Sequence, residues 1–141
     1  MPQPKINFPT TTQYTCTIPI RITDLNYGNH VGNDAVVSLL HEARVQYLHH
    51  LHYSELNVQG VGLILVDLAV QYKLQMHYGN LITIHIAVQD ITSRGFTLYY
   101  KLCNEQAALT ALATTTMLCY DYATQKVAHL PTATIHKLTQ V

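Results

Sequence analysis

The sequence predicts an α+β domain in which a five-stranded antiparallel sheet wraps around one long central helix. Three observations carry that expectation. One stretch repeats apolar residues at helical spacing, five runs read as strands, most of them alternating apolar with polar residues, and the gaps between the later runs are hairpin-short. At 141 residues the chain fits one domain, large enough to bury about 68–70% of the surface its unfolded form exposes.

Residues 1–13 carry three prolines and three successive threonines, and read as an extended N-terminal arm ahead of a single domain over 14–141. From Tyr14 the pattern alternates: Tyr14, Cys16, Ile18, Ile20 and Ile22 on one face, Thr15, Thr17, Pro19 and Arg21 on the other. That is a strand, and Pro19, which lacks a ladder donor, assigns it to a sheet edge. Val36, Leu40, Ala43, Tyr47 and Leu51 then recur at helical spacing, with Val37, Leu39 and Leu48 beside them. The helix spans about five turns, is apolar round most of its girth, and takes Asn33 or Asp34 as its N-cap. After a turn-rich stretch at 54–60, residues 62–72 are apolar on both faces, as in a strand covered on both sides. Residues 81–91 alternate cleanly, Phe96, Leu98, Tyr100 and Leu102 continue beyond a Ser93-Arg94-Gly95 turn, and residues 109–122 form the longest run. The sheet's second face still carries apolar residues, which a second copy would cover or extend.

Formal charge is zero and charged residues make up only 11% of the chain, against roughly 25% in an average globular domain. There is no basic footprint for nucleic acid or anionic lipid. So little surface charge implies a homo-oligomer, a dimer or a tetramer. Cys16, Cys103 and Cys119 are odd in number and widely spaced, which reads as free thiols in a reducing cytoplasm. The N-terminus has no hydrophobic core of a signal peptide, and no apolar run is long enough to span a bilayer. His49, His50 and His52 cluster at the helix C-terminus, but they lack metal-ligand spacing and a cysteine partner, so no metal site is expected.

Chemistry concentrates in the segment Asp24-Leu-Asn26-Tyr-Gly28-Asn-His30-Val-Gly-Asn33, which runs into Glu42-Ala-Arg44. Such a loop sets backbone N–H groups at a helix start beside ionisable side chains. Acyl transfer needs both, a group to activate water and donors for a developing oxyanion. Each residue also has a structural alternative. Asp24 and Asn26 can shape the turn through side-chain hydrogen bonds, Gly28 can supply backbone freedom, and His30 can be a satisfied structural imidazole. Arg44 fits hydrogen bonding at the helix–sheet seam, and Arg94 in a hairpin reads as a solvated cation. Asp67 interrupts an otherwise apolar strand, where an unpaired carboxylate is costly.

Strand, loop and helix together resemble the hotdog-fold acyl-CoA thioesterases of the 4-hydroxybenzoyl-CoA thioesterase type. Those sequences run D-x-D-x-x-G-H-V-N-N into a helix bearing E-x-A-R; here the segments are Asp24 to Asn33 and Glu42-Ala-Arg44. Tyr72 through Gly79-Asn80 resembles the family's aromatic-to-GD segment, and Ser93-Arg94-Gly95-Phe96 its hairpin; the likeness covers roughly residues 14–131. The family's catalytic aspartate falls on Asn26, which cannot act as a base. The resemblance implies that the thioester carbonyl points at the backbone N–H near Asn33, at the positive end of the helix. Asp24 would serve as nucleophile or base by a one-residue shift, with Asn26 orienting water, and Glu42 and Asp67 as further acids. Tyr27, Gly28 and His30 would border the substrate. Ser93, Arg94 and Gly95 would follow the coenzyme A moiety, Arg94 pairing a phosphate.

The implied function is hydrolysis of an acyl-CoA or acyl-carrier-protein thioester, with no cofactor beyond the substrate's own coenzyme A and with the site between two subunits. Two alternatives stand beside it. A hotdog hydratase or dehydratase resembles D-x-N-P-x-H, but here the Asp24 to His30 interval is one residue too long and the proline is missing. A non-catalytic acyl-CoA or acyl-carrier-protein binder would suit an asparagine at position 26.

Overall fold

In the computed structural model, which describes residues 5–141, the alternating runs become antiparallel strands and the helical stretch one long helix. In chain order these are β1 (Tyr14–Pro19), a 3-10 turn (Ile22–Asp24), α1 (Asn33–His50), β2 (Gly62–Tyr72), β3 (Leu81–Gln89) and β4 (Gly95–Cys103). β5 (Leu109–Asp121), β6 (Lys126–Val127) and α2 (Thr132–Leu138) follow. The sheet runs β1-β3-β4-β5-β2, with β6 added on β5. It therefore has six strands rather than the expected five. The two-residue β6 and the seven-residue α2 are too short and too polar to leave a periodic signal.

Register explains the alternation. Cys16, Ile84, Leu102, Ala111 and Tyr72 face one another across five strands, and Tyr14, Ile86, Tyr100, Ala113 and Val70 form the next row. These rows line the face that packs on Val36, Leu39, Leu40, Ala43, Tyr47 and Leu48 of α1, all buried. Each such side chain contributes about 1.5–3 kcal/mol by leaving water. Ser38, His41, Glu42 and Val45 stay exposed, so the sheet grips one side of α1 and leaves the other open. A helix apolar round most of its girth was expected; the open side shows a narrower stripe.

Pro19 sits on an edge strand, because β1 pairs with β3 alone among the described residues. The other edge corrects the sequence reading. β2 is not covered on both sides: it pairs with β5 alone, and Leu65, Val66 and Leu68 are 41%, 49% and 38% exposed. The N-terminal segment crosses the outer face of the sheet. Gln13 N–H donates to Ile86 O at 2.8 Å, Lys101 Nζ lies 5.2 Å from the Phe8 ring centre, and Ile6 N–H donates to Gln71 Oε1 at 3.1 Å. The first four residues of the expected arm lie outside the described residues.

Candidate active site

The loop between β1 and α1 is a miniature hairpin tied at its base. Gly32 N–H donates to Asp24 O (3.1 Å), Asn26 N–H to His30 O (2.8 Å) and Val31 N–H to Met76 O (2.8 Å). Asp24 is buried, and its carboxylate accepts from Arg21 N–H at 2.8 Å and from Arg21 Nη2 at 3.2 Å. Asn26 Oδ1 accepts from Gly28 N–H at 2.8 Å, an Asx turn. Tyr27 stands fully exposed at the tip. The left-handed residue of the turn is Asn29 (φ 63°), not Gly28. Gly28 matters instead for room, since a Cβ there would come 3.3 Å from Asn26 Oδ1 and from the His30 ring.

The helix start corrects a second expectation. Gly32, extended at φ −67° and ψ 151°, is the N-cap, and no side chain caps the turn. Val36 N–H closes the first turn on Gly32 O at 3.2 Å, while the N–H groups of Asn33, Asp34 and Ala35 take no partner among the described residues. These are the donors a helix start cannot satisfy internally, and they sit at its positive end. Beside them opens a cavity of about 270 Å3 lined by His30, Val31, Asn33, Val36, Tyr72, Lys73, Leu74, Gln75 and Met76. Val36 and Met76 give it a buried apolar floor. Tyr72 O–H donates to Asn33 O at 2.9 Å, joining the end of β2 to the helix start. Burial first, and the nearby Asp34 charge second, push the Tyr72 hydroxyl pKa up. His30 Nδ1 lies 3.2 Å from Val31 O; that carbonyl accepts only, so the neutral ring carries its proton on Nδ1, and Nε2 lies on the Gly28 side.

A hydrogen-bond donor array at a helix start, over an apolar-floored cavity, suits a polarised carbonyl with a short apolar substituent. Comparison with known proteins agrees. The family described as the thioesterase-like superfamily matches residues 20–138. The chain belongs to this superfamily. A curated relative, "Putative acyl-CoA thioesterase YneP" of Bacillus subtilis (strain 168), is 29% identical over 69 residues, 49% of this chain and 50% of that protein. The chain thus spans about half the length of that relative in the match. Among solved structures, a 1,4-dihydroxy-2-naphthoyl-CoA thioesterase from Synechocystis superposes with a TM-score of 0.81 at 22% identity, covering 89% of this chain and 94% of that one. A DHNA-CoA thioesterase from Staphylococcus aureus gives 0.79 at 20%, covering 88% and 86%. Those likenesses establish the hotdog fold.

The remaining residues singled out from the sequence do not gather at the superfamily member's cavity. Glu42 lies on the exposed side of α1, where its carboxylate accepts from Gln46 Nε2 at 2.8 Å. It lines a separate cavity of about 440 Å3 with Thr17, Arg21, Ser38 and His41. Asp67 is exposed beside a bulge and pairs with Thr116, on the sheet face turned away from α1. Exposure removes the cost that an unpaired carboxylate would carry inside an apolar strand. The Ser93 hairpin is at the other end of the sheet. Gly95 pairs with Leu118 of β5, whereas Tyr72 pairs with Ala111, seven residues or about 23 Å along the strand. There Arg94 Nη1 donates to Val127 O at 3.1 Å, and a Cβ on Gly95 would clash with Met117 O, so that glycine serves backbone approach.

Two sets of residues escaped sequence reasoning. The 73–76 segment, which walls the cavity, lies inside the stretch from Tyr72 to Asn80 that resembles the family's, but none of its residues was singled out as a site residue. A polar chain inside the seam joins residues far apart in sequence: Arg44 Nε donates to Glu55 Oε2 at 3.2 Å, Arg44 Nη1 to Tyr100 O–H at 3.3 Å, and the Tyr100 and Thr115 hydroxyls lie 2.8 Å apart. The seam role expected for Arg44 holds. Its partner Glu55 was hidden in the turn-rich stretch. Among the described residues no group of three His, Cys, Asp or Glu is placed to hold a metal ion, and no helix is long and apolar enough to cross a membrane.

Proposed function

We propose that the protein is an acyl-CoA thioesterase that hydrolyses a coenzyme A or acyl-carrier-protein thioester to free acid and thiol. One observation carries the reading: the helix start, whose first three N–H groups take no partner among the described residues, meets an apolar-floored cavity lined by Asn33 and Val36. The thioester carbonyl oxygen takes these donors and the acyl group rests on Val36 and Met76. Charge that develops on the oxygen as water adds is stabilised by donors already aimed at it. Asn26 stands next to the helix start, its Cβ 3.6 Å from where a Gly32 Cβ would be, and orients the water or carbonyl. Asp24 holds the loop through Arg21. No cofactor takes part.

The active unit is a homodimer in the cytoplasm, alone or within a tetramer. β2 supports this: eleven residues of edge strand expose Leu65, Val66, Leu68 and Tyr72, an edge of the kind that pairs with another strand. Antiparallel pairing of two β2 strands sets the Tyr72 end of one copy beside the Gly62 end of the other. The partner's hairpin end then approaches the cavity mouth, which is how Arg94 reaches a coenzyme A phosphate.

The test is thiol release from a panel of acyl-CoAs of increasing chain length and of aromatic acyl-CoAs. Turnover of at least one member is expected, with short and compact acyl groups preferred. Tight binding without thiol release would instead favour the non-catalytic binder that Asn26 suggests.

A further inference from the structure

A second cavity adjoins the one at the helix start. It measures about 580 Å3 and is lined by the same Lys73, Leu74 and Gln75, together with His77, Asn104 and Gln106. The two cavities thus share one three-residue segment, and they differ in chemistry. The first has an apolar floor of Val36 and Met76. The second is a groove walled mainly by side-chain amides.

Both walls of the groove are anchored. Lys73 N–H and Leu74 N–H donate to Thr110 O at 2.9 and 3.1 Å, which fixes that segment against β5. The Glu105 carboxylate accepts from Asn80 Nδ2 and from Leu81 N–H, each at 3.0 Å, and so clamps the 104–108 turn to the start of β3. Its own backbone N–H first, and Leu81 N–H second, hold the Glu105 carboxyl below its ordinary pKa, so the clamp stays charged at neutral pH. Asn104 Oδ1 accepts from Gln106 N–H and Ala108 N–H, each at 3.0 Å. Its Nδ2 takes no partner among the described residues, nor do the Lys73 ammonium and the side-chain amides of Gln75 and Gln106. A frame held this firmly therefore presents free donors and acceptors to whatever enters the groove.

We propose that this groove binds the phosphopantetheine arm of the substrate, with Gln75, Asn104 and Gln106 on its amides and Lys73 on its phosphate. The inference rests on the thioesterase reading and adds the part of the substrate that coenzyme A and an acylated carrier protein share. Primary amides both donate and accept, which suits the two secondary amides of the arm. Leu74, 52% exposed and the one apolar residue lining the groove, meets the arm's dimethyl carbon. Lys73 is the one ammonium lining either cavity, and its flexible stem lets it pair a phosphate as a point charge. The groove runs from the end of β2 to the end of β4, two strand spacings or about 10 Å. The chain that holds the carbonyl thus also holds the arm. No bond is made or broken in the groove, so its residues act on KM rather than on kcat.

Steady-state hydrolysis of one acyl group carried on different thiols tests this: coenzyme A, a carrier protein, pantetheine (no phosphate) and N-acetylcysteamine (no phosphate, one amide). Lys73→Met raises KM for acyl-CoA about fivefold with kcat unchanged, an effect that shrinks in high salt, and leaves acyl-pantetheine unaffected. Gln106→Ala raises KM about threefold for acyl-CoA and acyl-pantetheine and leaves acyl-N-acetylcysteamine unaffected. The same Lys73→Met rise with acyl-carrier protein supports an arm common to both sources, and turnover of acyl-CoA alone supports coenzyme A as the source. Unchanged KM for acyl-CoA in both variants overturns the proposal, as does an equal rise for acyl-N-acetylcysteamine. Calorimetric titration with free coenzyme A separates the two readings. A parent that cleaves no thioester, yet binds coenzyme A more weakly after Lys73→Met, removes the hydrolysis and supports the groove.

Discussion

The two ends of α1 are built for opposite purposes. At the C-terminal end most backbone groups are tied, although the buried Tyr47 hydroxyl has no partner among the described residues. Leu51 N–H donates to Tyr47 O and Leu48 O, Tyr53 N–H to Leu48 O, and Lys137 Nζ of α2 to Leu51 O at 2.8 Å. Leu138 and Thr134 are buried beneath, with the Thr134 hydroxyl 3.2 Å from that of Tyr53. At the N-terminal end three N–H groups are left open, the N-cap is a glycine, and a cavity takes the place of a plug. Backbone ties are concentrated where no chemistry is proposed, and unsatisfied backbone donors are kept where a carbonyl is to be held. Sites commonly carry such local deficits, offset elsewhere in the fold.

That contrast can be broken from either side. The largest expected effect is at the plugged end. Leu138→Ala removes a fully buried side chain, and denaturant unfolding should show a loss of about 3 kcal/mol, with kcat for thioester hydrolysis unchanged. At the open end, Asn26→Asp supplies a carboxylate beside the helix start. Hydrolysis should rise about tenfold at neutral pH, measured by thiol release, with little change in stability. Asp34→Asn removes the one acidic side chain of the first turn. Turnover should rise about twofold, because a charge that opposes the oxyanion is gone, while stability drops by about 0.5 kcal/mol through loss of a favourable helix-end charge. The Tyr72 hydroxyl, held up partly by that charge, should then ionise at lower pH in an ultraviolet titration.

The smallest effect compares two thiols, one level with each end. Burial foremost pushes both Cys16 and Cys119 up to about 11, with the Glu42 charge adding at Cys16. At pH 8 about one thiolate in a thousand is then present at each, so half-buried Cys103 should label first. Cys16, in the row of Tyr72 and Ile84, should follow a few-fold faster than Cys119, which is cinched beneath Arg94 O at 2.8 Å. Equal rates for the two would mean that the ends of α1 open together.

The same contrast shows why the sequence revealed some features and hid others. Period-two alternation is local, so the residues of β1 and β3 to β5 announced their strands, and Pro19 its edge. Asp24 and Asn26 were legible as turn-formers because their partners, Arg21 and Gly28, lie within three residues. What escaped was long-range. Glu55 joins His41 across fourteen residues and Arg44 joins Tyr100 across fifty-six, and no window of sequence links them. The apolar run of β2 was read as covered on both faces, whereas a single chain exposes it; periodicity reports what a strand buries, not which chain buries it. Gly32 gave no capping signal because a glycine caps by backbone shape alone.

The central claim is that the start of α1 holds the thioester carbonyl. Asn33→Pro removes one of its donors while leaving a proline where helices accept it. Parallel kcat and KM measurements on the best acyl-CoA, with thermal unfolding as the control, should give a kcat about a hundredfold lower and an unfolding temperature unchanged. A variant that folds normally and turns over like the parent would contradict the claim.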